Sequence, residues 1–197
     1  MKFAAVVLAA GRSTRMQANK LLADLNGKSL LANTIEQIQA SGVDEIVVVT
    51  GHDAEAVAAA LSPTKVVIIH NPQYANGLST SVRCGIAAVK NFDAAFICLG
   101  DMPLIRAADM QRMMLKFNVE QGRILIAPTY RGQLGNPILW GQEHFTALMA
   151  LEGDRGARSL LEASRDQITE IAVDHEGILL DADTPEALAE IRKRSAN

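Results

Sequence analysis

The chain opens with Phe3-Ala4-Ala5-Val6-Val7-Leu8-Ala9, an unbroken apolar run that empties into Ala10-Gly11-Arg12-Ser13-Thr14-Arg15 and then reaches Lys20. A run of that length, bounded by a glycine, predicts a strand buried on both faces. Gly11 permits a sharp turn and lets a ligand approach the main chain. Arg12, Arg15 and Lys20 put three cations in one loop. Such a loop at the carboxyl end of a buried strand is either a cradle for a polyphosphate or a turn with solvated charges. Two phosphate-loop patterns are excluded. The Walker A spacing requires a glycine where Leu22 precedes Gly27-Lys28-Ser29, and the dinucleotide fingerprint requires one where Ser13 follows Gly11.

Working outward, buried strands alternate with amphipathic helices. Leu30, Leu31, Ile35 and Ile38 have helical spacing, and Gly42 is placed to stop that helix. Glu45 to Thr50 reads as a strand. Asp53 is placed to cap a helix reaching Leu61, and Lys65 to His70 reads as a third strand. A polar, turn-rich stretch, Asn71 to Leu78, precedes a helix with Ser79 as its expected N-cap, and Asp93 to Leu99 is a fourth strand. This alternation predicts an α/β fold: a doubly wound, mostly parallel sheet with helices on both faces. Further helices are expected over Asp109 to Gln121, through Leu161, and from Pro185 to Arg192, with strands at Ile124 to Ala127 and Ile168 to Val173.

Composition narrows the class. The chain has 197 residues, which fits one domain, and a core of small aliphatic residues, since only 4% are aromatic. A net charge of −3 argues against a nucleic-acid partner. Cys84 and Cys98 form neither a metal spacing nor a disulfide framework, so a reducing compartment is expected. The apolar run at the N-terminus is too short for a secretory signal, and no segment approaches a membrane span. The expected location is cytoplasmic, with no membrane partner. His52 and His70 read as ordinary polar residues at strand ends.

Two acidic stretches add to the opening loop. In a parallel sheet, Gly100-Asp101-Met102-Pro103 falls on the same edge as Gly11, where Asp101 is placed either to hold Mg²⁺ or to cap a turn. Asp181-Ala182-Asp183-Thr184-Pro185 reads either as a strand end and helix cap or as a second carboxylate site. Gly153-Asp154-Arg155-Gly156-Ala157-Arg158 is a second Gly-rich cationic loop before a helix.

Leu8-Ala9-Ala10-Gly11-Arg12-Ser13-Thr14-Arg15-Met16, followed by Lys20, resembles the signature loop of the molybdenum cofactor cytidylyltransferase family. Gly100-Asp101-Met102-Pro103 and Asp181-Ala182-Asp183-Thr184-Pro185 are similar to its metal motifs. The likeness spans nearly the entire chain, with one departure: the family usually has glycine where this chain has Gln17.

The resemblance implies a Rossmann-like fold of the nucleotide-diphospho-sugar transferase type, with CTP and molybdopterin as substrates and Mg²⁺ as cofactor. It implies that Leu8, Ala9, Ala10, Gly11, Arg12 and Ser13 wrap the nucleotide, with Arg15 and Lys20 on the triphosphate. Gly77, Ser79, Ser81 and Arg83 would hold base and ribose. Gly135, Asn136 and Pro137, with Gly153, Asp154, Gly156 and Ala157, would line the pterin side. Asp101 and Asp183 would bind the metal, with Asp181 a structural neighbour. Residues 1–100 would form a nucleotide-binding half and 101–197 an acceptor-binding half of one domain. The implied activity is transfer of a cytidylyl group with release of pyrophosphate, and the implied partner is a molybdoenzyme receiving the product. The alternatives are another cytidylyl or sugar-phosphate nucleotidyltransferase of the same fold, and a non-catalytic chaperone for the molybdenum cofactor.

Overall fold

A computed structural model of the chain describes residues 1–12, 19–62, 64–154 and 156–195. In chain order the strands and helices are β1 (Phe3–Ala9), β2 (Asp24–Leu25), β3 (Lys28–Ser29), α1 (Leu30–Ala40), β4 (Glu45–Thr50), α2 (Ala54–Ala60), β5 (Val67–His70), α3 (Leu78–Ala88) and β6 (Ala94–Leu99). They continue with α4 (Ala107–Lys116), β7 (Leu125–Tyr130), β8 (Gln133–Leu134), β9 (Ile138–Gly141), α5 (Phe145–Met149), α6 (Arg158–Ala163), β10 (Thr169–Ala172) and α7 (Pro185–Ser195). The main sheet runs β10-β7-β9-β6-β1-β4-β5, with β8 added to β7. β1 pairs in parallel with β4 and β6, β4 with β5, and β7 with β10, while β9 is antiparallel to both its neighbours.

β1 sits at the centre because its residues are apolar on both faces. Ala5, Val7 and Ala9 point into a core with α1, α2 and α4, which contribute Ile35, Val57 and Met110. Ala4, Val6 and Leu8 point the other way, toward Val82 and Ile86 of α3 and Phe145 and Leu148 of α5. After β1 the chain lays β4 and β5 on one side, then crosses back to place β6 on the other. The winding therefore reverses at β1, and the crevice outside its carboxyl end is where open α/β sheets bind ligands. The expected doubly wound, mostly parallel sheet is the fold observed. A smaller core of Leu25, Leu30, Ala182, Leu188 and Ile191 fastens α7 over the β2–β3 hairpin and brings the C-terminal segment back to this crevice.

Several local expectations are corrected. Asp53 precedes α2 at φ 53°, and its side chain makes no cap bond to the helix. It instead accepts from Asn19 Nδ2 at 3.3 Å. Gly77 rather than Ser79 stands at the N-cap of α3, and Ser79 is buried in the first turn. α4 starts earlier and ends at Lys116, well short of Gln121. Phe117 turns out of the helix into the core, where its ring meets Phe3 edge-on at 5.6 Å. β7 runs through Pro128 to Tyr130. Proline lacks only a donor, and the Pro128 carbonyl still accepts from the Gly135 N–H at 2.9 Å.

α3 lies against β1 at Gly85, where a Cβ would stand 2.2 Å from Val6 Cγ1 and 3.1 Å from Val49 Cγ2. Overpacking of this kind costs about 1–3 kcal/mol. Gly85→Ala should therefore lower the melting temperature by roughly 2–12 °C, at about 2–4 °C per kcal/mol for a chain of this size. A variant that melts with the wild type would show that α3 does not sit this close to the central strand.

Candidate active site

Lys20 is the centre of the crevice. It begins a single 3-10 turn, Lys20–Leu22, held by the Asn19 side chain, which accepts from the Leu21 N–H at 3.1 Å, and by burial of Leu21. Its ammonium bonds to Asp101 Oδ2 and to Asp183 Oδ1. Residues 81 and 163 positions away along the chain thus meet on one cation.

Each carboxylate is placed by its own scaffold. Asp101 follows β6 and is only 7% exposed. The Gly100 N–H donates to the Leu8 carbonyl at 3.1 Å, and the Asp101 carbonyl accepts from the Ala182 N–H at 3.2 Å. Asp183 precedes α7, which Thr184 caps by accepting from the Ala187 N–H at 3.2 Å, with Pro185 in the first turn. Ala182, between the two aspartates, is buried in the small core under α7. Burial alone would lower the Lys20 pKa. The Asp101 charge and hydrogen bond, followed by those of Asp183, outweigh it and hold the ammonium above its ordinary value. Burial, then the charges of Asp183 and Asp101, push the Asp181 carboxyl up, against the pull of Lys20.

Two carboxylates converging on one cation form an oxygen donor set that suits Mg²⁺, which keeps waters and substrate phosphates for the rest of its shell. Among the described residues no three His, Cys, Asp or Glu side chains group closely enough to enclose a metal by themselves. Cys98 is buried in the core, and burial raises its thiol pKa.

The carboxyl end of β1 lies beside this cluster, since the Leu8 carbonyl accepts from the Gly100 N–H. Gly11 is exposed, and a Cβ on it would meet no atom of the described residues within 4 Å. Arg12 lies over the Tyr74 ring at 5.5 Å, and His52 is 6.2 Å from the same ring. Ser13, Arg15 and Gln17 lie outside the described residues, as does Arg155.

The segment around Gly77 and the segment around Gly153 are brought into contact. Gly77 has φ 107°, and a Cβ on it would stand 2.6 Å from the Gly153 carbonyl oxygen and 2.7 Å from Asp154 Oδ1. The Ser79 N–H donates to that same carbonyl at 3.2 Å. Ser81 Oγ accepts from Asn71 Nδ2 at 3.1 Å, and Asn71 also donates to Thr80 Oγ1 at 2.8 Å. Asn71 and Thr80 thus anchor this loop, a role that no sequence motif signals.

A cavity of about 610 Å³ opens next to the acidic cluster. Leu99 and Met102, on either side of Asp101, line it together with Leu8, and Asp181 contributes to its wall. Its body is apolar: Leu78, Val82, Ile97, Ile138, Trp140 and Leu161. Gly135, Asn136 and Ala157, expected on the pterin side, are in its lining; Pro137, Gly153, Asp154 and Gly156 are not among its lining residues. Asp181, read from sequence as a structural neighbour, faces the cavity.

Known proteins resemble this chain over both sequence and fold. A nucleotidyl transferase from Methanothermobacter superposes with a TM-score of 0.87 at 25% identity, covering 99% of this chain and 98% of that one. Rv0371c of Mycobacterium tuberculosis H37Rv, solved in complex with manganese, superposes with a TM-score of 0.80 at 28% identity, covering 98% of this chain and 99% of that one. The bifunctional protein GlmU of Rhizorhabdus wittichii is 35% identical over 133 residues, which are 66% of this chain and 29% of that protein. The chain thus spans less than a third of that relative's length. Residues 5–168 match the MobA-like NTP transferase domain, and the chain belongs to that family of nucleotidyltransferases.

Proposed function

We propose that this protein is a Mg²⁺-dependent cytidylyltransferase that joins CTP to molybdopterin and releases pyrophosphate. The observation that carries the proposal is the convergence of Lys20, Asp101 and Asp183 near the carboxyl end of β1, at the point where the sheet reverses its winding. Both reactants are anionic, so the site's first task is to cancel repulsion, and its second is to stabilise charge on the leaving pyrophosphate. Magnesium held by Asp101 and Asp183 would supply Lewis-acid neutralisation of the triphosphate. Lys20 exchanges its carboxylate partners for phosphate oxygens and follows the charge as it moves to pyrophosphate, a task that the family resemblance also assigns to Arg15. Leu8, Ala9, Ala10, Gly11, Arg12 and Ser13 wrap the nucleotide, while Gly77, Ser79, Ser81 and Arg83 hold base and ribose. An acceptor phosphate oxygen attacks the α-phosphorus in line, the bond to the β-phosphate bridging oxygen breaks, and no strong protein base is needed.

Two features support the finer assignment. Ala10 before Gly11 matches the pattern of cytidine-using members. The apolar side chains of the cavity suit the faces of a flat heterocycle, and Gln133, Asn136, Arg158, Glu162, Arg165 and Asp181 in the same lining suit its polar edge and phosphate. Gly135, Asn136, Pro137, Gly153, Asp154, Gly156 and Ala157 serve this acceptor side. The labour divides near residue 100, although Leu78 and Val82 of the first half also wall the acceptor cavity. The product would pass to a molybdoenzyme in the cytoplasm.

Pyrophosphate release from each nucleoside triphosphate, with molybdopterin and Mg²⁺, tests the proposal: CTP should be turned over fastest. Intact molybdopterin binding without pyrophosphate release would instead mark a cofactor-binding chaperone. Asp101→Ala should lower turnover on the order of 10²-fold, as removal of other electrostatic groups does. Full activity of that variant at limiting Mg²⁺ would contradict the metal assignment. Gly11→Ala should leave the melting temperature unchanged, because its methyl would meet no atom of the described residues, yet raise the KM for CTP. A fall in stability with no change in KM would make Gly11 a folding residue.

A further inference from the structure

The cavity and the triphosphate side of the crevice meet at one side chain. Ala182 is turned into the core under α7 and donates its N–H to the Asp101 carbonyl at 3.2 Å, which fixes the aspartates on either side of it. Asp183 bonds to Lys20, while Asp181 lines the cavity. Leu8, Leu99, Met102, Ile178 and Leu179 line the same cavity, as do Arg158, Glu162 and Arg165. Asp181 is half-buried there, and a carboxylate so placed accepts hydrogen bonds strongly and repels an anion brought against it.

Resting on the nucleotidyltransferase reading above, we propose that Asp181 is an acceptor-contact residue that selects what enters the cavity. Its carboxylate accepts a hydrogen bond from an N–H or O–H group of the acceptor close to its nucleophilic phosphate. It also repels a phosphate brought against it, opposing the attraction of Arg158 and Arg165 in the same lining, so a flat-bodied phosphomonoester is preferred to a second nucleoside triphosphate. Asp183 faces the metal and triphosphate, Asp181 faces the acceptor, and Ala182 holds the two in fixed relation.

The only tryptophan in the chain, Trp140, lies in the cavity wall, so its fluorescence reports occupancy without turnover. The test uses wild type, Asp181→Asn and Asp181→Leu, each checked for an unchanged melting temperature, with molybdopterin and glucose 1-phosphate as probes. In wild type, molybdopterin should quench Trp140 more tightly than glucose 1-phosphate. Both substitutions should weaken molybdopterin quenching and raise its KM about tenfold or more, the effect expected for a hydrogen bond to a charged group. The KM for CTP and the affinity for Mn²⁺ should change by no more than about twofold. Excess CTP should inhibit the variants competitively against the acceptor, but not the wild type. The proposal is overturned if neither probe quenches the wild type, if the substitutions leave quenching unaltered, or if CTP and Mn²⁺ binding weaken in step with the acceptor. Quenching that depends on Asp181 without pyrophosphate release in the wild type would remove the cytidylyltransferase reading and leave this one standing.

Discussion

A single ammonium shared by two carboxylates organises this molecule. Lys20 stands on a turn after the central strand, Asp101 at the end of β6, and Asp183 at the start of α7. Without counter-ions, Asp101 and Asp183 would repel each other at the mouth of the sheet. The chain meets this electrostatic demand by folding its C-terminal helix back over the β2–β3 hairpin and capping it at Thr184. In the proposed function the same arrangement exchanges partners: the triphosphate takes the lysine, and the divalent cation takes the carboxylates.

Beside this charged centre lies a cavity of different character. Its lining is largely apolar, with Asp181, Gln133 and Asn136 and the Arg158, Glu162 and Arg165 side chains on and after α6 as its polar groups. Charge compensation on one side and apolar burial on the other give the two proposed substrates separate physical criteria for entry. The contact between Gly77 and Gly153 joins the walls of the two sides, so neither loop is built independently of the other.

Much of this was legible in the chain itself. The run from Phe3 to Ala9 specifies a central strand because no residue in it tolerates a wet face, and the observed β1 has the same limits. Asp101 was expected on the crevice side because parallel strands end on one edge, and Asp183 only through the family resemblance of its Asp-x-Asp-Thr-Pro segment. What escaped sequence reading depended on tertiary packing. Phe117 leaves its helix to meet Phe3, a contact across 114 positions that helical periodicity does not encode. Asp53 is a good capping residue by type, yet its backbone is left-handed and its side chain is turned toward Asn19. That Asp181 lines a cavity formed with Leu78, Trp140 and Leu161 from distant segments is likewise not encoded in its Asp-x-Asp motif.

The central claim is that the carboxylates now paired with Lys20 hold a divalent cation beneath a nucleoside triphosphate. Anomalous diffraction from crystals grown with CTP and Mn²⁺ tests it most directly. The account predicts a manganese peak coordinated by both Asp101 and Asp183, with the Lys20 ammonium moved onto triphosphate oxygens. Manganese bound elsewhere, with the ammonium still on both carboxylates and the triphosphate away from the Gly11 loop, would contradict it.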